Sequence, residues 1–193
     1  MYYLIAAAIV FAVGYVGWKM TSRSGYESAE YTVLKSDGSF EIREYPDLML
    51  VTTSMSFRSQ GNDGSFGRLF RYISGGNESE QKVAMTTPVF MEPEEQQSDG
   101  QMAFVLPAKV AAEAIPSPSS ENVKIRKRPG GRFAALRFAG RIDDEVQSQM
   151  ESKLRTWIQS QDLAADPGVE FAGYDPPWTP GPLRRNEVLI RLK

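Results

Sequence analysis

The sequence predicts an α+β fold: an antiparallel sheet, strongly twisted or closed as a barrel, with two helices against it and an apolar segment in front. Three observations carry this. From Tyr31 onward, short β-rich runs alternate with turn residues. Within that region two stretches space their apolar residues as helices do. The order strand, strand, helix, strand, strand occurs twice, which implies a pseudo-two-fold architecture.

Residues 2–18, YYLIAAAIVFAVGYVGW, carry no charge, and Lys19 closes the run. These seventeen residues, at about 1.5 Å each, span roughly 26 Å, just short of a hydrocarbon core of about 30 Å. Tyr2, Tyr3, Tyr15 and Trp18 sit where an interfacial aromatic belt places them. No basic n-region precedes the run, as a cleaved signal peptide would require. Residues 1–19 therefore read as a transmembrane anchor. Lys19 and Arg23 follow it with no Lys or Arg before it, so the positive-inside rule puts the rest in the cytoplasm. Residues 20–30 are small and polar, a tether to a domain over 31–193.

In the first half, 31–35 and 40–45 form a hairpin about Ser36-Asp37-Gly38-Ser39, and 48–57 follows as a strand. Residues 65–73, SFGRLFRYI, place Phe66, Leu69, Phe70 and Ile73 on one helical face, and Gly75-Gly76-Asn77 stop the helix. Residues 82–91 and 102–107 read as strands around an acidic loop, and 108–120 as a connector. The second half repeats the order. Strands 123–128 and 132–140 flank Gly130-Gly131. A helix over 143–161 takes Asp143 as N-cap and Val146, Met150, Leu154, Trp157 and Ile158 as its apolar face. Strands 169–175 and 187–192 complete the chain. The cleft between the halves is the expected ligand site.

Composition narrows the chemistry. The chain has 193 residues, 22 basic and 24 acidic side chains, and neither histidine nor cysteine. Cys/His zinc sites, Ser-His-Asp and Cys-His nucleophiles, disulfides and thiol redox chemistry are excluded. A net charge of −2 gives no global attraction to nucleic acid. The basic run Lys124, Arg126, Lys127, Arg128 alternates as a strand with one wet face and lacks interleaved aromatics. No spacing commits to catalysis, so a binding protein is expected, with no catalytic residues.

Three stretches carry a family resemblance: FGRLFRYISGGNE (66–78), KVAMTTPVFM (82–91) and YDPPWTPGPLRRNEVLI (174–190). In this order the chain resembles the SOUL family of haem-binding proteins over residues 31–193. The resemblance implies a distorted antiparallel β-barrel of two βαββ-like repeats with two flanking helices. It also implies non-covalent binding of haem or a related tetrapyrrole in an apolar groove beside the first helix, for buffering or transport. Some members use a histidine as axial ligand, which this chain lacks.

On the first helix, Gly67 costs helical stability and leaves room for a flat ligand. Arg68 and Arg71, three apart, can pair with two propionates. The resemblance implies propionate contact for the basic residue preceding Tyr72, which is Arg71. Met85 is core filler or a weak iron ligand. Four prolines (176, 177, 180, 182) make 174–185 a rigid loop that either clamps the last strand or offers Tyr174 and Trp178 to a ligand. Glu187 is a ready partner for Arg184 or Arg185. Two other readings remain: a multidrug-effector-like binding module using a buried Glu41, Glu44 or Glu170, and a hydrolase without His or Cys.

Overall fold

A computed structural model describes residues 25–56, 63–93, 100–176 and 178–193. The transmembrane helix expected over 1–19 lies outside the described residues. Among the described residues no helix is long and apolar enough to cross a membrane.

The elements are β1 (Glu27–Ser28), β2 (Thr32–Asp37), β3 (Phe40–Tyr45), β4 (Leu48–Ser54), α1 (Ser65–Ile73), β5 (Thr86–Thr87), β6 (Val89–Glu92), β7 (Gln101–Val105), α2 (Ala108–Ala112), β8 (Lys124–Arg128), β9 (Gly131–Phe138), α3 (Asp144–Ser160), β10 (Glu170–Gly173) and β11 (Asn186–Arg191). The main sheet has nine strands in the order β2-β3-β9-β11-β10-β6-β7-β4-β8, every pair antiparallel. Without β2 this order is a palindrome: β3, β9, β11, β10 on one side answer β8, β4, β7, β6 on the other. The two halves meet at β6–β10, and each lends its first strand to the other, β3 beside β9 and β8 beside β4.

The expected barrel does not close. Closure would join β3 to β8, but the hairpin partner β2 already occupies the free edge of β3, and β8 pairs only with β4. The sheet is instead curled and open. Gly130 helps the curl: a Cβ there would lie 2.5 Å from the carbonyl oxygen of Tyr45, so only glycine lets this turn pass. The tether shortens too. Glu27–Ser28 pair in parallel with Thr86–Thr87, and Ala29 is buried, so the packed domain begins before Tyr31. The run 82–91 divides between this small ribbon and β6, with Pro88, which has no N–H to donate, between them. Part of the expected connector is helical, as α2.

Strand alternation gives the sheet two faces. One face carries both long helices. Leu69, Tyr72 and Ile73 of α1 pack on Val51, Met102 and Phe104, and Leu154, Trp157 and Ile158 of α3 pack on Leu136, Phe171 and Val188. Asp143 caps α3, its Oδ1 accepting the N–H of Val146 at 2.9 Å. The other face curls around Tyr45, Leu50, Phe90, Phe133, Tyr174 and Leu189.

Candidate ligand site

The inner face is filled by the protein itself. Arg43 is 1% exposed and Glu187 is fully buried. Arg43 Nη1 and Nη2 donate to the two Glu187 oxygens at 2.6 and 3.0 Å, a bidentate pair. Arg185 donates to Glu187 Oε1 at 2.6 Å, and the Tyr174 hydroxyl donates to Oε2 at 2.8 Å. Burial works against the charge on Glu187, but the hydrogen bonds and field of Arg43, then Arg185, outweigh it and hold the carboxyl at about 2. Burial and then the Glu187 charge push the Tyr174 hydroxyl well above its usual range. Tyr45 is pushed up to about 12 by burial, against the opposing pull of Arg43.

Arg128 is also inside. The sequence pattern put it on a wet strand face, yet it is 2% exposed, because β8 ends where the sheet curls over. Its guanidinium lies 4.0 Å from the Phe133 ring centroid and 4.8 Å from that of Phe90, and pairs with Glu170 at 2.7 Å. Glu41 is paired with Arg43 at 2.7 Å, and Glu44 is exposed. No candidate acid is therefore a buried glutamate awaiting a cation. The expected ligand cleft between the halves is a packed interior.

The face of α1 that turns away from the sheet is different. Its buried positions are Ser65, Leu69, Tyr72 and Ile73, so the stripe is rotated by about one residue from the expected one. Phe70, expected in the core, is 51% exposed. It stacks on Phe66 with centroids 6.0 Å apart, and Phe66 in turn meets Phe104 edge-on at 5.2 Å. Gly67, Phe70 and Arg71 share this outer face at i, i+3 and i+4. A Cβ at Gly67 would meet nothing within 4 Å, so the surface above it is open. Arg71 is exposed and has no ion pair among the described residues. The helix ends as the glycines require: Gly76 N–H donates to Arg71 O at 2.9 Å, where a Cβ would lie 2.7 Å from that oxygen.

Arg68 points back toward β4. Its Nε, Nη1 and Nη2 donate to Thr53 Oγ1, Asp63 O and Ser54 O at 2.9, 2.9 and 2.6 Å. A guanidinium has five N–H groups, so donors remain. Arg68 and Arg71 border one cavity of about 40 Å³ with Tyr72, Pro118, Ser119 and Ser120. That is carboxylate-sized, far below the volume of a ligand pocket, which is some 300–1,000 Å³.

Of the remaining expected residues, Tyr72 lines the same small cavity and the others lie elsewhere. Tyr72 is buried, its hydroxyl donating to Pro116 O at 2.8 Å, and burial raises its pKa. Met85 packs, half-buried, in the α1 cluster. Tyr174 is on the opposite face of the sheet from α1, beneath Arg185, whose guanidinium lies 4.0 Å from its ring. Trp178 is 64% exposed in a loop tied to the β9–α3 connection through Gly140 N–H and Gly181 O. The structure thus gathers Gly67, Arg68, Arg71 and Tyr72 with Phe70, and places Tyr174 on the other face of the sheet and Trp178 in the loop by the β9–α3 connection. The paired rows of Leu69/Phe70 and Tyr72/Ile73 fit either stripe, which is why spacing alone missed Phe70.

Comparison with known proteins agrees with the topology. The family model for SOUL heme-binding protein matches residues 26–191. Heme-binding protein 1 of Xenopus tropicalis is 28% identical over 162 residues, covering 80% of this chain and 84% of that protein. Heme-binding protein 1 of Mus musculus is 26% identical over 183 residues, covering 90% of each. Among solved structures, the EcmrR C-terminal domain superposes with a TM-score of 0.57 at 11% identity, covering 84% of this chain and 98% of that one. A hydrolase from Listeria innocua does so at 0.53 and 9% identity, covering 83% and 94%. Identities this low establish a common fold and no shared activity. The match across both halves of the sheet settles the kinship: the chain belongs to the SOUL heme-binding protein family.

Proposed function

We propose that this protein binds haem or a related tetrapyrrole on the outer face of α1. The carrying observation is the exposed Phe70 beside the open surface of Gly67 and the unpaired Arg71. The macrocycle lies across Gly67 and Phe70. A propionate enters the small cavity between Arg68 and Arg71, which Ser119 and Ser120 also line. The groups on the page suit the apolar body and acidic edge of a porphyrin. The chain has no histidine or cysteine, so it offers iron neither imidazole nor thiolate, and no thioether attachment can form. Binding is non-covalent and rests on packing and arginine–carboxylate contacts, which suits buffering or transport rather than catalysis. Residues 1–19, apolar and uncharged up to Lys19, tether the domain to a membrane from its cytoplasmic side.

The test is a hemin titration of the full chain followed in the Soret band. Arg71→Glu removes one exposed charge contact and adds a repulsion, each worth up to about 1 kcal/mol, so hemin affinity falls about tenfold. The dimethyl ester of the same porphyrin loses almost nothing. No Soret change at micromolar hemin overturns the reading, and equal loss for both ligands removes Arg71 from the propionate contact.

A further inference from the structure

The middle strands of the sheet come to an end along one row of paired residues. Phe138 opposes Asn186, Asn186 opposes Gly173, and Gly173 opposes Val89. Beyond this row, on the same side, stand the connection after β9, the stretch 178–185 that leads into β11, and β1, which pairs with Thr86–Thr87 just ahead of Val89. They are tied to one another and to the sheet. Gly140 N–H donates to Gly181 O at 3.1 Å, Ala29 N–H donates to Thr87 O at 2.8 Å, and Arg185 Nη2 donates to the Tyr31 hydroxyl at 3.4 Å.

This end of the sheet presents large apolar side chains to water. Trp178 is 64% exposed, Leu183 63% and Tyr26 40%. Trp178 and Leu183 are held out on a stiff base. Thr179 between them is buried, its carbonyl oxygen accepts from Arg184 Nε at 2.7 Å, and Leu183 N–H donates to Pro180 O at 2.9 Å. Indole and phenol side chains are those that settle at a membrane interface. The exposed charges at this end have both signs, Arg141 and Lys109 beside Asp143, Asp144 and Glu27, so no net positive field selects anionic lipid.

The entry point of the chain says what this end faces. Gly25 leads into β1 here, and six residues carry the chain from Lys19 to Gly25, at most about 21 Å. With residues 1–19 in a bilayer, the reading on which this inference rests, Gly25 stands no farther than that from the hydrocarbon boundary. A tether this short holds the exposed end beside the lipid at an effective concentration on the order of millimolar, which populates a contact too weak to recruit a free protein.

We propose that this end of the sheet docks on the interfacial layer of the bilayer. Trp178 and Leu183 sit among the headgroups of zwitterionic phospholipid with Tyr26 beside them, and the contact rests on aromatic and apolar packing rather than on lipid charge. Docking fixes the orientation of the domain, which a tether alone leaves free to turn.

For the test, the full chain carries 5-fluorotryptophan and is reconstituted in phosphatidylcholine nanodiscs. Its three tryptophans, Trp18, Trp157 and Trp178, give three ¹⁹F resonances, assigned with Trp18→Phe and Trp178→Phe. Lipid bearing a nitroxide near the headgroup broadens Trp18, and broadens Trp178 well beyond Trp157, which is buried against Phe40. Leu183→Asp, an exposed change that leaves the circular dichroism spectrum unaltered, lowers the Trp178 broadening at least about twofold and leaves that of Trp18 in place. Replacing part of the phosphatidylcholine by phosphatidylserine changes neither. A broadened Trp18 with Trp178 no broader than Trp157 overturns the docking and leaves the anchor standing. A sharp Trp18 overturns the anchor, and the docking with it. Trp178 broadening that needs phosphatidylserine, or that Leu183→Asp leaves unchanged, also overturns the proposal.

Discussion

Replacing Glu187 by Gln keeps the shape of the side chain and removes the charge at the centre of the inner face. Arg43, 1% exposed, then loses its bidentate partner, and Arg185 loses a contact at 2.6 Å. Breaking a buried pair from one side costs roughly 3–5 kcal/mol. Arg43 keeps Glu41 at 2.7 Å and the Tyr45 hydroxyl at 3.1 Å, and the amide oxygen can still accept from Tyr174, so the lower end applies. Proton linkage through the same contacts gives a second figure. A carboxyl held at about 2 instead of 4.5 corresponds to roughly 3 kcal/mol of folding free energy. With a urea slope of about 2 kcal/mol/M, the unfolding midpoint at pH 7 drops by about 1.5 M. The sign with pH follows from the lowered value. The contribution is present above the unfolded-state value of 4.5 and is lost as pH falls toward about 2. The gap between wild type and Glu187→Gln therefore narrows below pH 4.5 and closes near pH 2. A gap under about 1 kcal/mol at pH 7, or one that stays constant down to pH 2.5, refutes the reasoning. Hemin affinity of the folded variant stays unchanged, because Glu187 lies on the opposite face of the sheet from α1; a loss there would place the ligand inside the curl.

Two further outcomes test the helices. Gly67→Leu raises stability by up to about 1 kcal/mol in thermal unfolding, because the space above Gly67 is open and leucine is a good helix former, yet it weakens hemin by blocking the face; stability and affinity rising together would contradict this. Asp143→Ala costs about 1 kcal/mol by chemical denaturation through loss of the cap on Val146, and an unchanged midpoint would contradict it.

The duplicated order of elements was legible because turn residues and the two helical stripes mark it directly. The helix caps were legible for the same reason, being local: Asp143 at one helix, Gly75 and Gly76 at the other. What resisted was anything set by the curl of the sheet. Arg128 alternates as a wet-face residue should, and only the approach of β8 to Phe133 and Phe90 makes its position interior. Barrel closure depends on who occupies the edge of β3, which no pattern within one strand reveals. On α1 the spacing put Phe66, Leu69, Phe70 and Ile73 on the buried stripe, but the sheet packs on Leu69, Tyr72 and Ile73, and the Tyr72 hydroxyl donates to Pro116 O, far along the chain, with Phe70 left outward. The spacing put Gly67 and Arg71 on one helix face, and they share it; Tyr174 and Trp178 were drawn in by the loop's composition, and Tyr174 lies across the sheet from the helix.

The exchange of first strands between the halves has a consequence for how the chain comes to be folded. As it emerges during synthesis, β3 and β4 are made early, yet their partners β9 and β8 come only after residue 123. The leading half is then a set of strands with three open edges, on β3, β4 and β6, unable to complete itself however long it waits. Folding is forced to be a single late event that needs nearly the whole chain. The leading half must meanwhile be shielded from pairing with a neighbour's strands, a hazard that the late-arriving trailing half removes by supplying all three missing partners.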